Sequence, residues 1–157
     1  MPRVGDKAPE FTTTTDAGKT VSLKDFKGKK VVLYFYPRDD TPGCTKEACS
    51  FRDNYRAMLD KGAVILGVSA DDVQSHERFK QKFDLPFPLL ADTDRSMIDA
   101  YVVWKEKHLY GKTFMGIERT TFIIDGRGII THIFPRVKVD GHTDEVLAAL
   151  AESAPAG

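Results

Sequence analysis

Residues 31–45 read Val-Val-Leu-Tyr-Phe-Tyr-Pro-Arg-Asp-Asp-Thr-Pro-Gly-Cys-Thr, and their reading sets the fold. Val31 to Tyr36 is a continuous apolar run rich in β-branched and aromatic residues, as expected of a strand buried on both faces. Pro37 ends it, and a polar loop, Arg38 to Gly43, follows. A helical pattern then runs from about Cys44 or Thr45 to Lys61. In it Ala48, Phe51, Tyr55, Met58 and Leu59 recur at helical spacing, and Gly62 stands where a C-terminal cap belongs. A cysteine therefore lies just past the C-terminal end of a buried strand, at the start of a helix.

Outward from this stretch, Phe11 to Thr15 and Thr20 to Leu23 read as a hairpin around Asp16-Ala17-Gly18-Lys19. Ala63 to Ser69 reads as a second buried strand. Asp71 or Asp72 is placed to cap a helix running to about Phe83. Pro88 to Ala91 is a third, short strand, and Ser96 to Tyr101 a short helix. Thr120 to Asp125 and Ile129 to Phe134 form a hairpin around Gly126-Arg127-Gly128, and a last helix runs from near Thr143 to about Glu152. Strands alternating with helices imply an α/β sheet that is parallel in part. The outline resembles a thioredoxin-like fold with an N-terminal β-hairpin extension and a mixed central sheet flanked by helices. One domain over residues 1–157 is expected. The tail Ala154-Pro155-Ala156-Gly157 is expected to fray.

Composition excludes several function classes. The 23 basic and 23 acidic residues give a formal net charge of zero, so nothing draws the chain to nucleic acid or an anionic membrane. No apolar run has the length of a membrane span, and Met1-Pro2-Arg3-Val4-Gly5-Asp6 lacks a signal-peptide core. A cytoplasmic protein is the expectation.

Cys44 and Cys49 are the only cysteines. In a reducing compartment such a pair points to catalysis or metal binding. Zinc usually needs four ligands at short paired spacings, whereas His76, His108, His132 and His142 are scattered singly, so no metal is expected. At a helix start Cys44 would meet unpaired N–H groups and partial positive charge, which favour the nucleophilic thiolate. Pro37 and Pro42 stiffen the loop, Gly43 lets the backbone turn beside the sulfur, and Thr41 offers a hydroxyl to an oxygen bound there. Taken alone, the loop also suits a bland reading, a proline-rich turn with Cys44 as a small buried hydrophobe. The spacing argues against a static staple. On an unbroken helix, residues five apart lie about 140° around the axis with Cα atoms roughly 8–9 Å apart, and a disulfide tolerates at most about 7 Å. A redox pair that unwinds a helical turn fits better.

The stretch Pro37 to Cys44 resembles the peroxiredoxin pattern Pro-x-x-x-Thr-x-x-Cys. Thr41-Pro42-Gly43-Cys44-Thr45 followed by Glu47, Ala48 and Cys49 is similar to the Q-type members, also called bacterioferritin comigratory proteins. The resemblance extends to Gly5-Asp6-Lys7-Ala8-Pro9-Glu10-Phe11 and to Arg119-Thr120-Thr121-Phe122-Ile123-Ile124-Asp125. It implies that Cys44 is the peroxidatic cysteine and Cys49 the resolving one, that Thr41 and Pro37 shape the peroxide pocket, and that Arg119 faces the sulfur. It further implies hydrogen peroxide and organic hydroperoxides as substrates, a Cys44–Cys49 disulfide recycled by thioredoxin or a similar dithiol, and no metal, flavin or haem. A monomer is expected, since the C-terminal half has no cysteine for the intersubunit disulfide of dimeric relatives.

Other residues carry weaker readings. Glu47 and Arg52 read as surface charges, and Asp39 and Asp40 as loop solvation. Trp104 and Phe114 read as packing or surface cover, and the lone histidines as structural or surface groups. The rival functions are a general thiol–disulfide oxidoreductase, disfavoured because there is no Cys-x-x-Cys, and a binding or chaperone-like module with inert thiols.

Overall fold

A computed structural model describes residues 2–152, so the expected fraying of residues 154–157 lies outside the described residues. Among the described residues, nine strands and five α-helices follow in the order β1 (Thr12–Thr15), β2 (Thr20–Ser22), β3 (Lys30–Phe35), α1 (Pro42–Asp53), α2 (Tyr55–Asp60), β4 (Ala63–Ser69) and α3 (Val73–Phe83), then β5 (Leu89–Ala91), α4 (Ser96–Ala100), β6 (Trp104–Leu109), β7 (Lys112–Ile117), β8 (Thr120–Ile124), β9 (Ile130–Phe134) and α5 (His142–Glu152). Seven strands form one sheet in the order β2-β1-β5-β4-β3-β8-β9. β3, β4 and β5 run parallel, while β1 and β8 join antiparallel on either side. The mixed α/β sheet expected from the sequence is present, with the N-terminal hairpin extending one edge.

The apolar run places β3 at the centre. Successive side chains of a strand point to opposite faces. Val31, Leu33 and Phe35 enter one core with Met97, Ile98 and Tyr101 of the α4 region. Val32, Tyr34 and Tyr36 enter the other core with Cys44, Ala48, Phe51, Phe79 and Val146. The face under α1, α3 and α5 is thus the one that holds Cys44.

Three local readings needed correction. The first helix begins at Pro42, not at Cys44 or Thr45, because Thr41 takes extended N-cap geometry and Pro42 occupies the first helical position, where a missing N–H costs nothing. Asn54 interrupts the expected helix to Lys61: its backbone leaves helical geometry and its side-chain amide donates to the Ser50 carbonyl at 2.8 Å. The β6–β7 hairpin was not foreseen. Lys105-Glu106-Lys107-His108 shows no apolar alternation, and the signal was the turn Tyr110-Gly111, whose φ values of 51° and 75° suit a two-residue hairpin loop. Gly62, at φ 76°, closes α2 as expected, and of the two candidate caps Asp72 is the one that accepts from the Ser75 N–H, at 2.8 Å. No helix among the described residues is long and apolar enough to cross a membrane.

Gly67 of β4 shows how tightly the face under α1 is filled. A Cβ there would stand 2.9 Å from Cζ and Oη of Tyr34 and 3.0 Å from Cδ2 of Leu89. Gly67→Ala is expected to destabilise the fold by about 1–3 kcal/mol through overpacking, read as a lower urea midpoint. An unchanged midpoint would show that Tyr34 has room to move.

Candidate active site

The turn between β3 and α1 brings Cys44 to the third position of the helix. The first intrahelical bond runs from the Thr45 N–H to the Thr41 carbonyl at 2.8 Å. The N–H groups of Gly43 and Cys44 therefore belong to the turn that has no intrahelical acceptor. Cys44 is 2% exposed, and both cysteines are free thiols. Cys49, half-buried, lies on the same unbroken helix, so the two positions keep the helical separation that forbids a disulfide.

Arg119, at the entry to β8, reaches this turn from across the sheet. Its Nη2 donates to Cys44 Sγ at 3.5 Å and its Nη1 to Glu47 Oε1 at 2.7 Å. The β3–β8 pairing sets the approach, and the Arg119 carbonyl accepts from the Val137 N–H at 2.8 Å. Gly43 leaves the space: a Cβ there would lie 3.1 Å from Nη2. A guanidinium offers fixed, permanently charged donors, as stabilising a thiolate and a reacting oxygen requires. Thr41 donates its hydroxyl to the Arg38 carbonyl at 2.9 Å, and Pro37 follows the buried Tyr36 at the strand end. A cleft of about 360 Å³ bordered by Lys105, Lys107, Arg136 and Val137 opens onto Arg119.

Two charges read as surface groups are interior. Glu47 is 1% exposed and Asp39 is 8% exposed. Glu47 follows Cys44 by three residues and so shares its helix face, which was the signal available in the sequence. Burial pushes its carboxyl up to about 7, against the opposing pull of Arg119. Its Oε2 and the hydroxyl of Tyr34 are buried without partners. Burial, then the charge of Glu47, raises the Tyr34 phenol well above its ordinary value. Arg52 also departs from its reading, since Nη1 donates to the Phe83 carbonyl at 2.7 Å and ties α1 to α3. Asp40 is paired with Lys82 at the surface. Trp104 packs partly buried beside the core, and Phe114 is exposed. His76 and His142 are interior.

Asp39, Asp71 and His76 bring one ligand-type atom each to within 4.8 Å of one another. Those atoms are engaged: Asp71 accepts from the Asp39 N–H and from Ser69, and Asp39 accepts from Tyr36 and Ser75 and contacts His76. The cluster is a hydrogen-bond network in which both Asp39 carboxylate oxygens and Asp71 Oδ2 receive protein donors.

Comparison with known proteins gives a consistent picture. The family model described as AhpC/TSA family matches residues 4–133. A putative peroxiredoxin Bcp of Coxiella burnetii is 56% identical, covering 94% of this chain and 97% of its own. A mutant of Xanthomonas campestris peroxiredoxin Q superposes with a TM-score of 0.90 at 40% identity, covering 98% of each chain. The Xanthomonas campestris bacterioferritin comigratory protein, described for its alkyl peroxide reduction activity, superposes with a TM-score of 0.88 at 39% identity and 96% coverage of each chain.

Glu47 sets a pH dependence. Its carboxyl titrates at about 7 in the fold against an ordinary 4.5. The folded chain then holds this proton more tightly than the unfolded one, and the stability it contributes is lost as pH rises from about 4.5 through about 7. Glu47→Gln cannot titrate. Its stability relative to the parent is expected to climb across that window and level off above it, read by denaturant midpoints at a series of pH values. A flat difference would mean that Arg119 keeps Glu47 ionised throughout.

Proposed function

The chain belongs to the AhpC/TSA family and is a peroxiredoxin, a thiol peroxidase; on that premise we propose that Cys44 attacks the peroxide and Cys49 resolves the product. The observation that carries this reading is the 3.5 Å contact between Arg119 Nη2 and Cys44 Sγ at the free first turn of α1. Cys44 thiolate attacks one peroxide oxygen, the O–O bond breaks, and the other oxygen leaves with a proton as water or an alcohol. Arg119 stabilises the thiolate and the developing charge, while Thr41 and Pro37 shape the pocket. The resulting sulfenic acid condenses with the Cys49 thiol, releasing water and forming the disulfide. An external dithiol, thioredoxin in the first instance, reduces it by exchange. Hydrogen peroxide and organic hydroperoxides are the proposed substrates, acted on by a single-domain monomer.

Condensation requires α1 to open locally. Its later turns are tied down: Ser50 Oγ lies 2.5 Å from Thr143 Oγ1, and Arg52 reaches the Phe83 carbonyl. The first turn is held by Arg119 and the burial of Cys44, both of which change once the sulfur is oxidised. Melting of this turn brings Cys44 to Cys49 without disturbing the sheet. Such weakly held segments are where functional opening occurs.

Peroxide consumption coupled to thioredoxin, thioredoxin reductase and NADPH should vanish in Cys44→Ser while its circular dichroism is unchanged. Turnover by the folded variant would remove Cys44 from the nucleophile's role. Amide hydrogen exchange across Gly43 to Asn54 should be faster in the disulfide form than in the reduced form, and Cys49→Ser should over-oxidise more readily at Cys44. Equal protection in both redox states, with the disulfide confirmed by mass, would refute the unwinding step.

A further inference from the structure

The turn that delivers Thr41 and Cys44 is anchored at a residue outside the reacting pocket. Asp39 is held by four partners, Asp71 accepting from its N–H and Tyr36, Ser75 and His76 facing its carboxylate. Its N–H donates to Asp71 Oδ2 at 2.8 Å. Its Oδ1 accepts from the Tyr36 hydroxyl at 2.5 Å, and its Oδ2 accepts from Ser75 Oγ at 2.8 Å and lies 2.7 Å from His76 Nδ1. Asp71 is itself braced by the Ser69 hydroxyl at 2.7 Å. The anchor therefore joins the ends of β3 and β4 to the first turn of α3.

The protonation of His76 follows from its partners. Its Nε2 lies 2.9 Å from the Leu90 carbonyl, which can only accept, so Nε2 carries a hydrogen. Its Nδ1 lies 2.7 Å from Asp39 Oδ2, and against the opposing effect of burial the Asp39 hydrogen bond and charge hold the imidazole above its ordinary value, so Nδ1 carries one as well. The side chain of His76 is fully buried and that of Asp39 nearly so. A buried ion pair of this kind is weak evidence for stability, since apolar residues of the same volume often serve the fold as well. What it fixes is geometry.

We infer that His76 is a positioning residue for the peroxide step: by clamping Asp39 to the β5 carbonyl of Leu90 it sets the place of Thr41, two residues further on, against Cys44. The path is short and each link is visible. Asp40, next to the clamp, takes a left-handed φ of 54°, and Thr41 then bonds back to Arg38 at 2.9 Å on the other side of Asp39. Thr41 is thus registered to the anchored turn. The same anchor marks where the opening of α1 begins, because the chain up to Thr41 stays fixed while the turn after it melts.

This inference rests on the reading of Cys44 and Thr41 given above, and two reagents separate the two. Peroxide must be aligned by the pocket, whereas iodoacetamide reports only on the thiolate. In reduced His76→Gln the second-order rate with hydrogen peroxide is expected to fall about 10- to 100-fold, as a misplacement of about 1 Å does, with alkylation at Cys44 within about threefold of the parent. The double variant Asp39→Ala/His76→Leu removes both charges together, leaves neither uncompensated and should show the same split, so it carries the test if His76→Gln does not fold. A folded variant that keeps the parent's peroxide rate, or that loses both reactivities equally, overturns the positioning role. A parent with no preference for peroxide over iodoacetamide would instead overturn the reading of Cys44.

Discussion

The site depends on a guanidinium that one helical turn and one strand must share. Arg119 leaves its strand to contact Cys44 and Glu47, which stand three residues apart on α1. Removing Arg119 would leave the Glu47 carboxylate buried without its partner, at a cost of about 3–5 kcal/mol where that carboxylate is ionised. The arrangement therefore couples the position of β8 to the intactness of the first turn of α1. Gly43 matters for the same reason, because a side chain there would meet Nη2.

Glu47 gives this contact a second level. With its carboxyl neutral, the charge of Arg119 is directed at the sulfur alone; ionised, it shares that charge. Titration at about 7 places the change near neutrality. Its unpartnered Oε2 and the unpartnered Tyr34 hydroxyl also leave buried polar capacity unused in the neighbourhood of Cys44.

A division of labour runs along α1. The middle and end of the helix are tied to α5 and α3 through Ser50 and Arg52, and the turn before it is clamped through Asp39. Between these fixed points lies the short stretch that carries Cys44. A segment bounded by anchors on both sides is one whose local opening need not spread into the core. Cys49 lies on the tied part of the helix and Cys44 on the untied part.

The sequence by itself determined the central strand, because six consecutive apolar residues from Val31 leave no other place for it. It also determined the strand-to-helix position of Cys44, and through the spacing to Cys49 the conflict between an intact helix and a disulfide. These are local features, readable from period and chain geometry. Glu47 was half legible, since its spacing puts it on the face of Cys44 but a charged side chain reads as solvent-facing. That Arg119 meets Cys44 across 75 residues was expected only through the family resemblance, and only the tertiary structure decided that Arg119 also holds Glu47 and that Asp39 meets His76 across 37 residues. Those meetings follow from the strand order β5-β4-β3-β8, which aligns the ends of distant strands at one edge of the sheet. Periodicity records which face of an element is buried; it carries no record of which buried groups face one another.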